Sequence, residues 1–171
     1  MTRVRLSHVV VGFAFAVAIV EATPGSSDAA SSLPAPHFLQ ASGWIVRKPS
    51  SQPTSSVVAV TIRDRAVAHP FAPFVGFKRL SPRGIIVWAT TLGRNRSGFR
   101  RLRWPLRLSI FRVDRGWEGQ PAPNIQQRLI FGAVDGWDLD VRVYFATQKP
   151  DKRLLKKAQR QLWRLRLPSG S

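Results

Sequence analysis

Residues 128–145 read RLIFGAVDGWDLDVRVYF, and this stretch decides the fold. Two apolar runs, Arg128–Val134 and Trp137–Phe145, flank the dipeptide Asp135-Gly136. Asp and Gly accept the positive φ angles of a two-residue hairpin turn, so the stretch predicts two antiparallel strands joined by a tight turn. The second run alternates in polarity, which predicts one buried face and one face in water. The expected buried face holds Trp137, Leu139, Val141, Val143 and Phe145, and the expected wet face holds Asp138, Asp140, Arg142 and Tyr144.

Four segments before this hairpin also have the composition of strands. They are Gly43–Arg47, Val57–Arg63, Ile85–Leu92 and Leu106–Val113. Ile85–Leu92 is continuous in apolar and Thr residues, as expected of a central strand that is covered on both faces. Leu106–Val113 begins with alternation, which predicts a half-buried strand. Because consecutive strands joined by hairpins run antiparallel, the six segments predict an antiparallel sheet of about six strands.

The last segment, from Pro150 to about Leu165, has the periodicity of a helix, with Pro150 suited to its first turn. At about 100° per residue, one side collects Leu154, Leu155, Ala158, Leu162 and Leu165. The other side collects Lys152, Arg153, Lys156, Lys157, Arg160 and Arg164. The segment therefore predicts an α+β fold in which an amphipathic C-terminal helix packs on the sheet with its basic face in solvent. A helix lying on a membrane surface is the alternative.

The N-terminus has the pattern of a secretory signal. Arg3 and Arg5 precede an apolar run, Val9–Val20, and Ala22 ends a sequence suited to cleavage. The run of 12 apolar residues is short for a membrane span, which takes roughly 20. We therefore expect a signal peptide at 1–22, a flexible Ser/Pro/Ala spacer at 23–37 and one domain at 38–171 in a secreted or extracytoplasmic protein. Anchoring by an uncleaved N-terminal segment is the alternative.

The charge balance predicts anionic partners. Lys and Arg number 27 against 9 Asp and Glu, for a net charge of +18. Such a surface attracts polyanions without requiring a pocket, although the arginine content also fits a GC-rich genome. Besides the helix, the cations concentrate around Phe99 and Trp104, at Arg94, Arg96, Arg100, Arg101 and Arg103. We predict anion binding at both groups, with a solvated cationic loop as the alternative for the second. Candidate partners are an anionic wall polymer, lipid headgroups or an acidic protein.

The sequence offers little for catalysis. It contains no cysteine, which excludes disulfides, thiolate metal sites and attachment through a lipidated cysteine. His37 and His69 lack the spacing of metal ligands, and no catalytic or nucleic-acid-binding motif is present. We expect a non-catalytic binding or accessory module without cofactor, metal or specific nucleic acid. An exported enzyme of the hydrolase class with an unfamiliar site is the alternative, and the sequence leaves the oligomeric state open.

Several segments resemble small exported proteins of high-GC Gram-positive bacteria that carry no assigned function. The resemblance rests on Gly84–Thr91, Trp117–Asn124, Val141–Phe145 and the closing Leu-rich helix, about half of the chain. It implies export and a bacterial origin. It implies no activity and supplies no site residues.

Overall fold

The computed structural model describes residues 33–48, 55–64, 80–94, 98–114, 116–117, 120–121 and 124–169. The predicted signal peptide, 1–22, and residues 23–32 of the predicted spacer lie outside them. The strands are β1 (His37–Phe38), β2 (Trp44–Arg47), β3 (Ser56–Thr61), β4 (Ile85–Arg94), β5 (Arg112–Asp114), β6 (Gly116–Trp117), β7 (Gln120–Pro121), β8 (Gln126–Val134), β9 (Trp137–Phe145) and β10 (Leu165–Arg166). One α-helix, α1 (Lys152–Leu162), lies between β9 and β10.

Six of these strands form one antiparallel sheet. Its order is β2-β3-β4-β9-β8-β5, so β4 and β9 lie at the centre. The remaining strands form two small pairs, β1 with β10 and β6 with β7. The predicted α+β class, with a six-stranded antiparallel sheet and a C-terminal helix, is confirmed.

The β8–β9 hairpin has the predicted turn. Val134 pairs with Trp137, so Asp135 and Gly136 alone form the loop. Their φ angles are 47° and 81°, the left-handed conformation that this turn needs. The ladder then continues without a break to the pair Gln126 and Phe145. Local turn chemistry therefore sets the register of the longest hairpin.

One face of the sheet and α1 enclose the main core. The side chains of Leu139, Val141, Val143 and Phe145 are fully buried there, as predicted. The helix contributes three buried apolar residues, Leu154, Ala158 and Leu162. Leu165, predicted to end the helix, instead lies in β10 and is also buried.

The helix begins at Lys152, two residues later than the prediction from Pro150. Asp151 is the N-cap, and its side chain accepts a hydrogen bond of 2.7 Å from the backbone N–H of Leu154. This bond satisfies one of the amide groups that the first turn of a helix leaves open. Pro150 therefore precedes the cap.

The prediction that the second face of β9 lies in water is wrong. Asp138 and Tyr144 are fully buried, and only Asp140 and Arg142 keep partial exposure. Tyr144 belongs to a second apolar cluster with Val58, Val60 and Ile86, against which Leu80, Trp88 and Ile125 pack. Alternation shows which residues share a face. It does not show whether distant segments cover that face.

The predicted strand Leu106–Val113 is also wrong in its first half. Residues Leu108–Ile110 form a 3-10 turn, and the strand β5 begins only at Arg112. The side chain of Gln159 on α1 accepts from the Leu108 N–H (2.7 Å) and donates to the Leu106 carbonyl (2.9 Å). These backbone groups are therefore bonded to the helix instead of a neighbouring strand.

The first described residues pack against the end of the chain. β1 begins at His37, the last residue of the predicted spacer, and pairs Phe38 with Leu165. Farther back, the Pro34 carbonyl accepts a 2.7 Å hydrogen bond from the Thr91 hydroxyl. Residues from the start of the described chain thus contact β10, which follows α1, and the central strand β4.

Gly132 of β8 tests how closely the strand packs against the segment 100–102. A Cβ added there would lie 2.5 Å from Leu102 Cγ and 2.6 Å from the Arg100 carbonyl oxygen. We expect Gly132→Ala to lower the free energy of unfolding by about 1–3 kcal/mol, as overpacking does. Urea unfolding measures the loss. The control Ser109→Ala, at an exposed position, should change it by less than about 0.5 kcal/mol. Equal stability of the two variants would contradict the packing described.

Candidate basic grooves

The packing of α1 divides its basic face into two rows. Residues at spacings of three and four share one side of a helix. Arg153, Lys157 and Arg160 form the groove row together with Arg164, which was expected in the helix but lies in the turn just after it; the row faces the loops before β2, after β3 and before β4. Lys152 and Lys156 form the outer row and are exposed to solvent. Six helix cations predicted to bind anions therefore belong to two surfaces.

Three adjoining grooves run along the groove row. The first, of about 530 Å³, lies among Gly43, Thr61, Ile62, Arg63, Asp64, Ser81, Pro82, Arg83 and Lys157. The second, of about 250 Å³, lies among Arg83, Asp151, Arg153, Leu154, Lys157 and Arg160. The third, of about 340 Å³, lies among Ala41, Ser42, Trp44, Lys157, Arg160, Gln161 and Arg164. Lys157 lines all three and is the residue that joins them.

A buried carboxylate holds the wall of the first groove. Asp64 is 3% exposed and accepts hydrogen bonds from the Thr61 hydroxyl, the Ser81 N–H (2.6 Å) and the Ser81 hydroxyl (3.2 Å). The Thr61 hydroxyl in turn accepts from the Ile85 N–H at 3.2 Å. Asp64 thereby joins the end of β3 to the start of β4. Because it is already bonded in this way, we assign it a positioning role.

Lys157 sits among groups that disfavour its charge. Its ammonium nitrogen lies 5.6 Å from the centroid of the Trp44 ring. Burial lowers the pKa of Lys157, and the charges of Arg63 and Arg160 lower it further, while Asp64 opposes the shift. An anion placed in the grooves would relieve this repulsion between cations.

Gln161 lines the third groove, and its amide, which is closed to solvent, lacks hydrogen-bond partners. The residue is 1% exposed, and among the described residues neither its Oε1 nor its Nε2 has a hydrogen bond. Gln159, two residues earlier, has both amide atoms bonded to the 106–108 segment. The two glutamines of α1 therefore differ sharply, although the sequence around them gives no sign of it.

The second predicted group of cations lies elsewhere. Arg94, Arg100, Arg101 and Arg103 are exposed, and none of them lines the three grooves. Arg96 lies outside the described residues. The Arg94 guanidinium lies over the Trp137 ring, 4.3 Å from its centroid, and the two side chains attract each other through a cation–π contact. The structure thus does not bring this group into the grooves.

The helix supplies only part of the groove walls. Arg63, Arg83 and Trp44 complete them, and sequence reasoning assigned none of these three to a site. The Pro82-Arg83-Gly84 turn offers a weak signal for an exposed arginine. The positions of the other two depend on how the loops pack, which sequence spacing does not show.

The described part of the chain contains no group of three or more His, Asp or Glu side chains placed to hold a metal ion. His69 lies outside it. In the same part of the chain, no helix combines the length and the apolar character needed to cross a membrane.

No protein-family model, no curated protein and no solved structure matches this chain. The resemblance to small exported bacterial proteins accordingly stays a prediction.

Asp64→Asn tests the anchoring of the groove wall. The amide would turn an N–H₂ group toward donors, so we expect a loss of about 2 kcal/mol in the free energy of unfolding, as for a buried hydrogen bond to a charged group. Chemical denaturation measures it. Asp135→Asn makes the same change in the exposed hairpin turn, where Asn also accepts positive φ. If the free energy of unfolding falls equally little in both variants, Asp64 does not anchor the wall of the first groove.

Proposed function

We propose that the protein is an exported, non-catalytic module that binds an anionic polymer of the cell envelope along the groove row of α1. One observation carries the proposal: three adjoining grooves share Lys157 and follow one side of the helix. A continuous line of cationic grooves suits an extended chain better than a flat surface.

The spacing of the groove row supports a polymer with regularly repeated charges. At 1.5 Å rise per residue, Arg153, Lys157 and Arg160 are separated along the helix axis by about 6 and 4.5 Å, and Arg164 follows just after the helix ends. Arg63 and Arg83 stand on the opposite wall. An anionic group bound between these walls would contact cations from the helix and from the loops at once.

Export is part of the proposal. It rests on Arg3, Arg5, the apolar run Val9–Val20 and the expected cleavage after Ala22. Retention of this segment as an anchor is the alternative, and it would hold the same grooves at the membrane.

A second candidate target is an anionic bilayer. Trp163, which follows the helix on the side of the outer row, is 49% exposed. Exposed aromatic and apolar side chains beside lysines are typical of surfaces that settle at lipid headgroups. This surface involves the outer row, so the two candidates make different predictions.

Charge reversal on each row in turn distinguishes the two candidate targets, the wall polymer and the bilayer. We expect Lys157→Glu/Arg160→Glu to weaken binding to purified cell wall at least about tenfold at constant salt, or about 1.4 kcal/mol. The matched variant Lys152→Glu/Lys156→Glu makes the same charge change on the same helix and should weaken binding less than about threefold, since neither lysine lines a groove and charges away from the bound anion are screened. Cosedimentation measures both.

Three results would overturn the proposal or its export part. Equal losses in both variants would show non-specific attraction by net charge. Binding to phosphatidylglycerol vesicles that depends on the outer row, with no binding to wall, would instead assign the bilayer as target. A protein that starts at Met1 in the cytosol would remove the export part.

The lowered pKa of Lys157 predicts a pH dependence. As pH rises through that pKa, Lys157 loses its proton and its attraction for the anion, so binding should weaken at a lower pH than for an ordinary lysine, near 10.4. Lys157→Arg stays charged and should flatten the profile. Calorimetric titration of soluble wall polymer between about pH 7 and pH 10 measures this. Lys156→Arg should leave the profile unchanged, and a profile unaffected by Lys157→Arg would contradict the assignment.

A further inference from the structure

We infer that the third groove is a subsite for a sugar unit that carries an anionic group, so that the polymer recognised is an anionic glycan. The inference rests on the proposed function, because the same groove row supplies the charges. It adds a role for the buried amide of Gln161, whose missing hydrogen bonds electrostatic attraction alone does not explain.

The amide of Gln161 points to a ligand with hydroxyl groups. A buried amide without hydrogen bonds costs free energy, and native proteins rarely keep one without a reason. Its Nε2 offers two donors and its Oε1 accepts. A sugar hydroxyl both donates and accepts, so neighbouring hydroxyls on one ring satisfy both atoms. A bare anion would satisfy the donor alone.

The other residues of the groove fit the rest of such a unit. Lys157, Arg160 and Arg164 surround the space that the amide lines, and they suit a carboxylate or phosphate on the sugar. The Arg164 guanidinium is held in place by a 3.0 Å hydrogen bond to the Gln40 carbonyl and has further N–H groups to donate. Trp44 supplies an apolar wall of the kind that ligand grooves commonly use.

Binding opens the groove. The amide atoms of Gln161 are closed to solvent, whereas three of the lining residues have long cationic side chains. A sugar therefore reaches the amide only if lining side chains move, and an anion that pairs with the ends of Lys157 and Arg160 would favour that movement. The first and second grooves are not lined by Gln161 and serve the neighbouring charges of the polymer.

The test compares two polyanions of matched length, each with one carboxylate per unit: polygalacturonate, which is built of sugars, and poly-L-glutamate, which is not. We expect the wild-type protein to bind polygalacturonate at least about tenfold more tightly at equal salt. Gln161→Met keeps the shape and removes the amide. We expect it to weaken polygalacturonate binding about tenfold and poly-L-glutamate binding less than twofold, without lowering the unfolding temperature.

Gln159→Met is the matched control. It makes the same change on the same helix but breaks the bonds to Leu106 and Leu108, so it should lower the unfolding temperature and leave the preference for polygalacturonate intact. If the wild-type protein binds polygalacturonate no more tightly than poly-L-glutamate, the inference is overturned regardless of the results for the variants. Equal losses on both polymers in Gln161→Met, or no loss on either, also overturn it.

Failure of the inference is distinct from failure of the proposed function. If Lys157→Glu/Arg160→Glu loses both polymers while Gln161→Met loses neither, the groove row binds polyanions but the third groove does not read sugars. If the groove-row variant retains both polymers, both proposals fall.

Discussion

The packing of Leu154, Ala158 and Leu162 against the sheet fixes the rotation of α1 about its axis, and the arrangement of charge on the surface depends on it. A rotation of one residue position, about 100°, would turn a different set of cations toward the loops. Because a closely packed core admits few alternative arrangements, an apolar contact determines an electrostatic surface. The bonds from Gln159 to the 106–108 segment resist the same rotation.

Electrostatics and stability oppose each other in the grooves. Burial lowers the pKa of Lys157, and the charges of Arg63 and Arg160 act in the same direction, while the charge of Asp64 opposes the shift. The buried amide of Gln161 adds a second unfavourable feature at the same place. Unfavourable groups that cluster beside an opening, while the rest of the helix is well bonded, are the arrangement expected where stability is given up for binding.

Local chemistry predicts much of this fold. The Asp135-Gly136 turn, the alternation of β9 and the apolar stripe of α1 are each encoded within a few residues, and each was predicted. The errors concern contacts between distant residues. Tyr144 is covered by a cluster that includes Val58 and Ile86, and Leu106 and Leu108 are bonded to the helix. The grooves fall in this second class: the helix cations were predicted, whereas Arg63, Arg83, Trp44 and Gln161 join them only through tertiary packing.

The two edge strands of the main sheet also affect whether separate molecules of the protein associate with one another. β2 and β5 are the edge strands, with four and three residues, and each carries an arginine, Arg47 and Arg112. Short, charged edges discourage the addition of a strand from another molecule. If the protein binds a long polymer as proposed, copies crowded along that polymer would therefore remain separate molecules instead of joining through their sheets into aggregates.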